Sequence, residues 1–180
     1  MNKLPQVMRI NGVNVYVHWS VFVISIIILL GAIERPAMSL VGLFAYWSVL
    51  LIHECGHMIA AQRKGCHVSS IELYPIWGRT CFNVPWSRFD HCVIAWGGVL
   101  AQAVVAAPLV AWVELFGYTR FSVVNEIIEI LGYFSIGTAI LNLLPIPPLD
   151  GAMAWRIIPA YIERFRKHRK KQVPEWLSRR

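Results

Sequence analysis

Charge is scarce in this chain. Only 15% of its 180 residues are Asp, Glu, Lys or Arg, while 57% are hydrophobic. Soluble domains carry roughly 25% charged residues. The shortage argues against a water-soluble core ringed by charge and for residence in a bilayer. There is no C-x-x-C among Cys55, Cys66, Cys81 and Cys92, so nothing indicates a zinc ribbon or a disulfide framework. No internal repeat or low-complexity run stands out, and the length suits about one domain.

Where charge is absent, it is absent in blocks. Residues 15–33 contain no Asp, Glu, Lys or Arg. Nineteen such residues can cross a hydrocarbon core of roughly 30 Å. The run exceeds a signal-peptide core of about 7–15 residues and has no clear A-x-A cleavage site after it. An uncleaved first transmembrane helix is therefore expected, ended by Glu34-Arg35-Pro36. A second span is expected over 38–62, with Glu54 as its one formal charge, closed by Arg63-Lys64-Gly65. Residues 91–113 form an uncharged third, in which Gly97-Gly98 permit close helix approach and Pro108 is a kink site. A fourth begins near Val123 and runs to about Leu144, before Pro145, Pro147 and Pro148. Between the second and third, Val68, Ser70, Glu72 and their neighbours alternate as a strand does, punctuated by Pro75 and Gly78. The expected fold is an all-α polytopic membrane protein with about four transmembrane helices and a small membrane-associated β-ribbon. Residues 1–161 make the membrane-embedded domain, and 162–180 a basic tail containing Trp176.

The net charge of +7 raises nucleic acid as a partner, but placement points elsewhere. With four spans, the amino end, the 63–90 loop and the region after 150 share one side. That side holds 15 of the 17 Lys and Arg, leaving Arg35 and Arg120 opposite. The positive-inside bias puts both termini in the cytoplasm. The cations of the tail suit anionic lipid headgroups, and nucleic-acid binding need not be invoked.

One stretch carries chemistry, His53-Glu54-Cys55-Gly56-His57. Residues four apart stack on one face of a helix, so His53 and His57 can close on one metal ion, with Glu54 beside them as general base. Ionisable groups inside a span are costly and mark function by default. A catalytic zinc takes three protein ligands and keeps one open position. Asp150 meets the requirement for a third, since it follows the fourth span on the same side and the prolines before it free the backbone. Asn142, before that proline run, could donate to a polarised carbonyl.

His53-Glu54-Cys55-Gly56-His57, together with the later Asn142-Leu143-Leu144-Pro145-Ile146-Pro147-Pro148-Leu149-Asp150-Gly151, resembles the site-2 protease family of intramembrane zinc metalloproteases. The likeness extends over roughly residues 10–160, including Val17-His18-Trp19-Ser20 and the 68–80 segment. It implies zinc held by His53, His57 and Asp150, with Glu54 as catalytic acid/base. It also implies hydrolysis of a peptide bond in or near a transmembrane segment of a membrane-protein substrate, as in regulated intramembrane proteolysis. Edge pairing with the 68–84 ribbon would hold the substrate extended. One departure is Gly97-Gly98-Val99-Leu100-Ala101-Gln102, where the family often carries a G-P-x-x-N-like motif. Gln102 then stands where an asparagine is expected, unless it merely packs. The length leaves no room for the PDZ or CBS domains of many relatives, which leans toward a minimal form in a prokaryotic inner membrane.

Other readings have their own signatures. A metal-ion transporter would spread ionisable groups along a path across the bilayer, whereas here they cluster at one end. A non-catalytic membrane scaffold has no use for an intact Glu54. Cys66-His67, Cys81 and His91-Cys92 are too irregularly spaced for a second metal site, and Cys is common in interiors.

Overall fold

The computed structural model describes residues 4–33 and 36–172. The chain begins with a hairpin, β1 (Gln6–Ile10) and β2 (Val13–Val17). Asn11 and Gly12 connect the two with φ of 46° and 82°. Two successive positive φ values are the tight hairpin turn that matches strand twist, and Asn-Gly is its favoured dipeptide. In β2 the valines face inward and are buried, while Asn14 and Tyr16 face the other way.

Helix α1 (Trp19–Leu30) follows, then a 3-10 turn (Gly31–Ile33) and α2 (Pro36–Arg63). The chain returns to the sheet as β3 (Val68–Leu73) and β4 (Gly78–Phe82). Strand order is β1-β2-β3-β4, with β2 and β3 parallel and the outer pairs antiparallel. The parallel pairing matters for topology. It sets the amino-terminal hairpin and the 68–82 segment side by side, with α1 and α2 as the excursion between them. Val15, Val17, Val21, Met58, Ala61, Ile71, Leu73 and Ile94 form the core between the sheet and the carboxyl end of α2.

Helix α3 (Arg88–Phe116) is capped by Ser87, whose hydroxyl accepts from the Asp90 N–H. Asp90 in turn pairs with Lys64 at 3.0 Å, tying the start of α3 to the end of α2. After Gly117 come α4 (Ser122–Ile128), a π-helical segment (Glu129–Phe134) and α5 (Ser135–Asn142), continuous as one 21-residue span. Short α6 (Gly151–Ala154) and α7 (Ile157–Gln172) complete the described chain.

Three helices among the described residues are long and apolar enough to cross a membrane: α2, α3 and Ser122–Asn142. Many of their outward side chains are large and apolar, such as Leu40, Phe44, Val104, Trp112 and Leu115. The chain is a membrane protein. The expected first transmembrane helix over 15–33 is corrected. Residues 15–17 belong to β2, and α1 has 12 residues, about 18 Å at 1.5 Å per residue. An uncharged apolar run does not by itself distinguish a buried strand from a helix, and here the alternating valines had strand partners. The small β-ribbon expected between the second and third spans is correspondingly part of a larger element, a four-stranded sheet that also takes in β1 and β2. Of the predicted tail, 162–172 lie in α7, while Trp176 falls outside the described residues, as do Glu34 and Arg35.

Helices α2 and α3 cross where Gly56 meets Gly97. A methyl group at Gly97 would stand 2.6 Å from the Gly56 carbonyl oxygen and 2.9 Å from the Ala60 side chain. Small residues let helix backbones approach this closely in a bilayer. Gly97→Val is expected to cost about 3 kcal/mol or more through overpacking. Thermal unfolding followed by circular dichroism in detergent measures it, and an unchanged midpoint would contradict the crossing described.

Candidate active site

The helical four-residue spacing in α2 stacks His53 and His57, and both are buried. Asp150 reaches them from sequence distances of 97 and 93 residues. Its Oδ2 lies 2.9 Å from His53 Nε2 and 3.1 Å from His57 Nε2. The two Nε2 atoms are 3.1 Å apart. The three side chains offer ligand atoms that all lie within 4.8 Å of one another, so together they could hold a metal ion. Among the described residues no other such group forms. Cys66, Cys81, Cys92, His67 and His91 do not assemble a second site.

Several local features aim Asp150 inward. It opens α6, yet its carboxylate makes no capping hydrogen bond to that helix. Trp155 Nε1 donates to the Leu143 carbonyl at 2.6 Å, and Trp96 Nε1 donates to the Ala154 carbonyl at 3.1 Å. These indoles pin the 143–154 segment against α3. Gly151 presses on the Leu143 and Leu144 carbonyls so closely that any Cβ would overlap them.

The rings are held from behind. His57 Nδ1 lies 2.8 Å from the Ile94 carbonyl, and His53 Nδ1 lies 2.9 Å from Gln102 Oε1. Gly98 leaves the space they occupy, since a Cβ there would stand 2.7 Å from His53 Cε1. A backbone carbonyl only accepts, so His57 Nδ1 carries a hydrogen. In the neutral ring, Nε2 then presents a lone pair. Burial alone would raise the Asp150 carboxyl, but His53 and His57 beside it, when a proton lies on Nε2, outweigh burial and hold the group well below the usual carboxylate range. Acceptor atoms and a negative charge thus converge, and a cation, either a proton or a metal, must balance them. Two imidazole nitrogens and a carboxylate oxygen are a donor set that suits a zinc ion.

Glu54 stands next to this cluster and is 1% exposed. Thr80 of β4 donates to Glu54 Oε2 at 2.8 Å. Gly78, also of β4, lies against the same carboxylate with no room for a Cβ. The sheet therefore covers Glu54. Asn142, at the end of α5, puts Nδ2 3.5 Å from His53 Nε2. Two clefts adjoin the cluster. An apolar one of about 80 Å³ reaches His53, Glu54 and Asn142. A second, of about 460 Å³, reaches Glu54, His57, Arg79 and Asp150. Trp77 and Gly78 border both.

All five residues singled out in the sequence lie here. Two contacts were not foreseen. The bond from Thr80 to Glu54 had no local signal, because a threonine in an alternating strand is ordinary. Gln102 had one, being a buried amide in a span without charge, but its partner was not legible.

A family model described as peptidase family M50 matches residues 102–178, which include Asp150 and exclude the H-E-x-x-H helix. Among curated proteins, Rip3 of Mycobacterium tuberculosis, described as a zinc metalloprotease, is 29% identical over 89% of this chain and 43% of its own length. A zinc metalloprotease of Methanocaldococcus jannaschii is 24% identical over 88% of this chain and 46% of its own. The chain thus spans less than half the length of these relatives. The solved structure of a site-2 protease from Methanocaldococcus jannaschii superimposes with a TM-score of 0.70 at 19% identity, covering 88% of this chain and 73% of that one, so the fold is shared. In family model, curated relatives and fold, the chain is similar to the site-2 protease family, peptidase family M50.

Proposed function

We propose that the chain is a zinc-dependent endopeptidase acting within the membrane on a substrate that itself has a transmembrane segment. The observation that carries this reading is the meeting of His53, His57 and Asp150 around one point, with a buried carboxylate beside them. His53, His57 and Asp150 would hold the metal. When bound, zinc supplies Lewis acidity toward a peptide carbonyl and acidifies water to a pKa of roughly 7.

The chain's own residues account for the proton transfers. Glu54 takes a proton from the attacking water as the C–O bond forms, then delivers it to the leaving amine as the C–N bond breaks. Thr80 holds one carboxylate oxygen of Glu54, leaving the other to work. Asn142 Nδ2 is a donor suited to the developing oxyanion. A helical substrate has its amides shielded and must unwind first. Strand β4 has one sheet neighbour only, so its free edge can pair with an extended substrate backbone. The two clefts would receive residues on either side of the scissile bond.

The topology proposed with this places the sheet, the carboxyl end of α2 and α7 on the cytoplasmic side of a prokaryotic inner membrane, consistent with the cation bias. In α7, Ile158, Tyr161, Ile162 and Phe165 are exposed at helical spacing. That apolar stripe, in a segment whose sequence is rich in Lys and Arg, suits an anionic membrane surface.

Two measurements check the reading. Glu54→Gln should retain zinc but lose about 10²–10⁴-fold or more of cleavage of a single-span substrate by purified protein. Undiminished turnover would remove Glu54 from the mechanism. Asp150→Ala should lower zinc content from about one ion per chain toward none, because two imidazoles alone make an incomplete site. Atomic absorption after dialysis reads this, and full occupancy would remove Asp150 from the ligand set.

A further inference from the structure

We infer that Gln102 and Thr138 are positioning residues that fix the tautomer of His53 and so ready its Nε2 for the metal. The inference rests on the metalloprotease reading and adds to it residues that touch neither metal nor substrate carbonyl.

The geometry can be followed from a fixed end. The Ser135 carbonyl, at the start of α5, can only accept. Thr138 Oγ1 lies 2.9 Å from it and donates its one hydrogen there. Toward Gln102 that hydroxyl is therefore an acceptor, and Gln102 Nε2 donates to it at 3.0 Å. The nitrogen end of the carboxamide is now assigned, so the oxygen end must face His53. Oε1 stands 2.9 Å from His53 Nδ1, which must then carry the ring hydrogen. His53 Nε2 is left with its lone pair, aimed at the point shared with His57 and Asp150. The reversed amide would protonate Nε2 and close the ring to a metal.

The two histidines reach the same tautomer by different means. His57 uses a main-chain carbonyl, Ile94 O, which no substitution removes. His53 depends on two side chains from two further helices, Gln102 on α3 and Thr138 on α5. Gln102 is 1% exposed, as is Ser135, and Thr138 is half-buried beside the smaller cleft, so the amide and the Ser135 end of the chain are shielded from water. In such dry surroundings a chain of hydrogen bonds is directional and costly to leave half-made. Partners behind a metal-bound imidazole typically account for about 10–100-fold in metal affinity.

Zinc affinity of the purified full chain, measured by competition with a chromogenic chelator, tests this without substrate. Gln102→Leu keeps the bulk and removes the acceptor, and should weaken zinc about 10–100-fold. Gln102→Glu keeps an acceptor at the same reach and should restore wild-type affinity within a few-fold or tighten it. Thr138→Val should weaken zinc while Thr138→Ser does not, a pair that decides the matter even if Gln102→Leu fails to fold. Nitrogen-15 spectra of the metal-free protein should show His53 protonated on Nδ1 in the wild type and a mixture of tautomers in Thr138→Val. Wild-type affinity in both Gln102→Leu and Thr138→Val, or Gln102→Glu as weak as Gln102→Leu, overturns the inference while leaving the metal site standing. A wild-type chain that takes up no zinc overturns both.

Discussion

The close crossing of α2 and α3 is the constraint on which the remaining structure depends. Gly56 and Gly97 bring two backbones together where any side chain would separate them, and Gly98 opens the space the two imidazoles fill. The same contact sets Ile94 behind His57 and Gln102 behind His53. Helices in lipid gain little from the hydrophobic effect against each other and are held by fit and hydrogen bonds. Here the fit and the ring-orienting bonds come from one stretch of α3, residues 94–102.

The sheet answers a different problem. Glu54 is a carboxylate in a span, and an isolated ionisable group there is expensive. Strand β4 brings Thr80 to bond it and Gly78 to lie flat against it. That strand is held by β3, which is held by β2, whose valines pack on the end of α2. The sheet thus covers the acid, while the outer edge of β4 has no strand partner among the described residues. Non-helical backbone at membrane depth is tolerated where protein or a wet cavity receives it, and β4 has α2 on one side and the larger cleft on another.

Asp150 completes the arrangement by an economy of backbone. A helix-opening Asp is ordinarily a cap, yet this one makes no such bond. The indoles of Trp96 and Trp155 take the carbonyls around it, and Gly151 lets the segment fold against the end of α5. The carboxylate is freed from local duty and turned toward two imidazoles nearly a hundred residues earlier in the chain.

Local spacing was enough to read a good deal. Apolar stretches long enough to span announced α2, α3 and the 122–142 helix, the last despite Glu126 and Glu129 at its start, because apolar length is a one-dimensional property. The four-residue interval of His53 and His57 put them on one face, and the proline run before Asp150 marked where a helix had to stop. Tertiary structure alone decided the rest. Residues 15–17 are as apolar as the helix that follows, and only pairing with β1 on one side and residues 71–73 on the other makes them strand. Thr80 and Gln102 acquire meaning only from groups 26 and 49 residues away. Periodicity records which face a residue occupies on its own element. It carries no record of the partner across the gap, which packing selects.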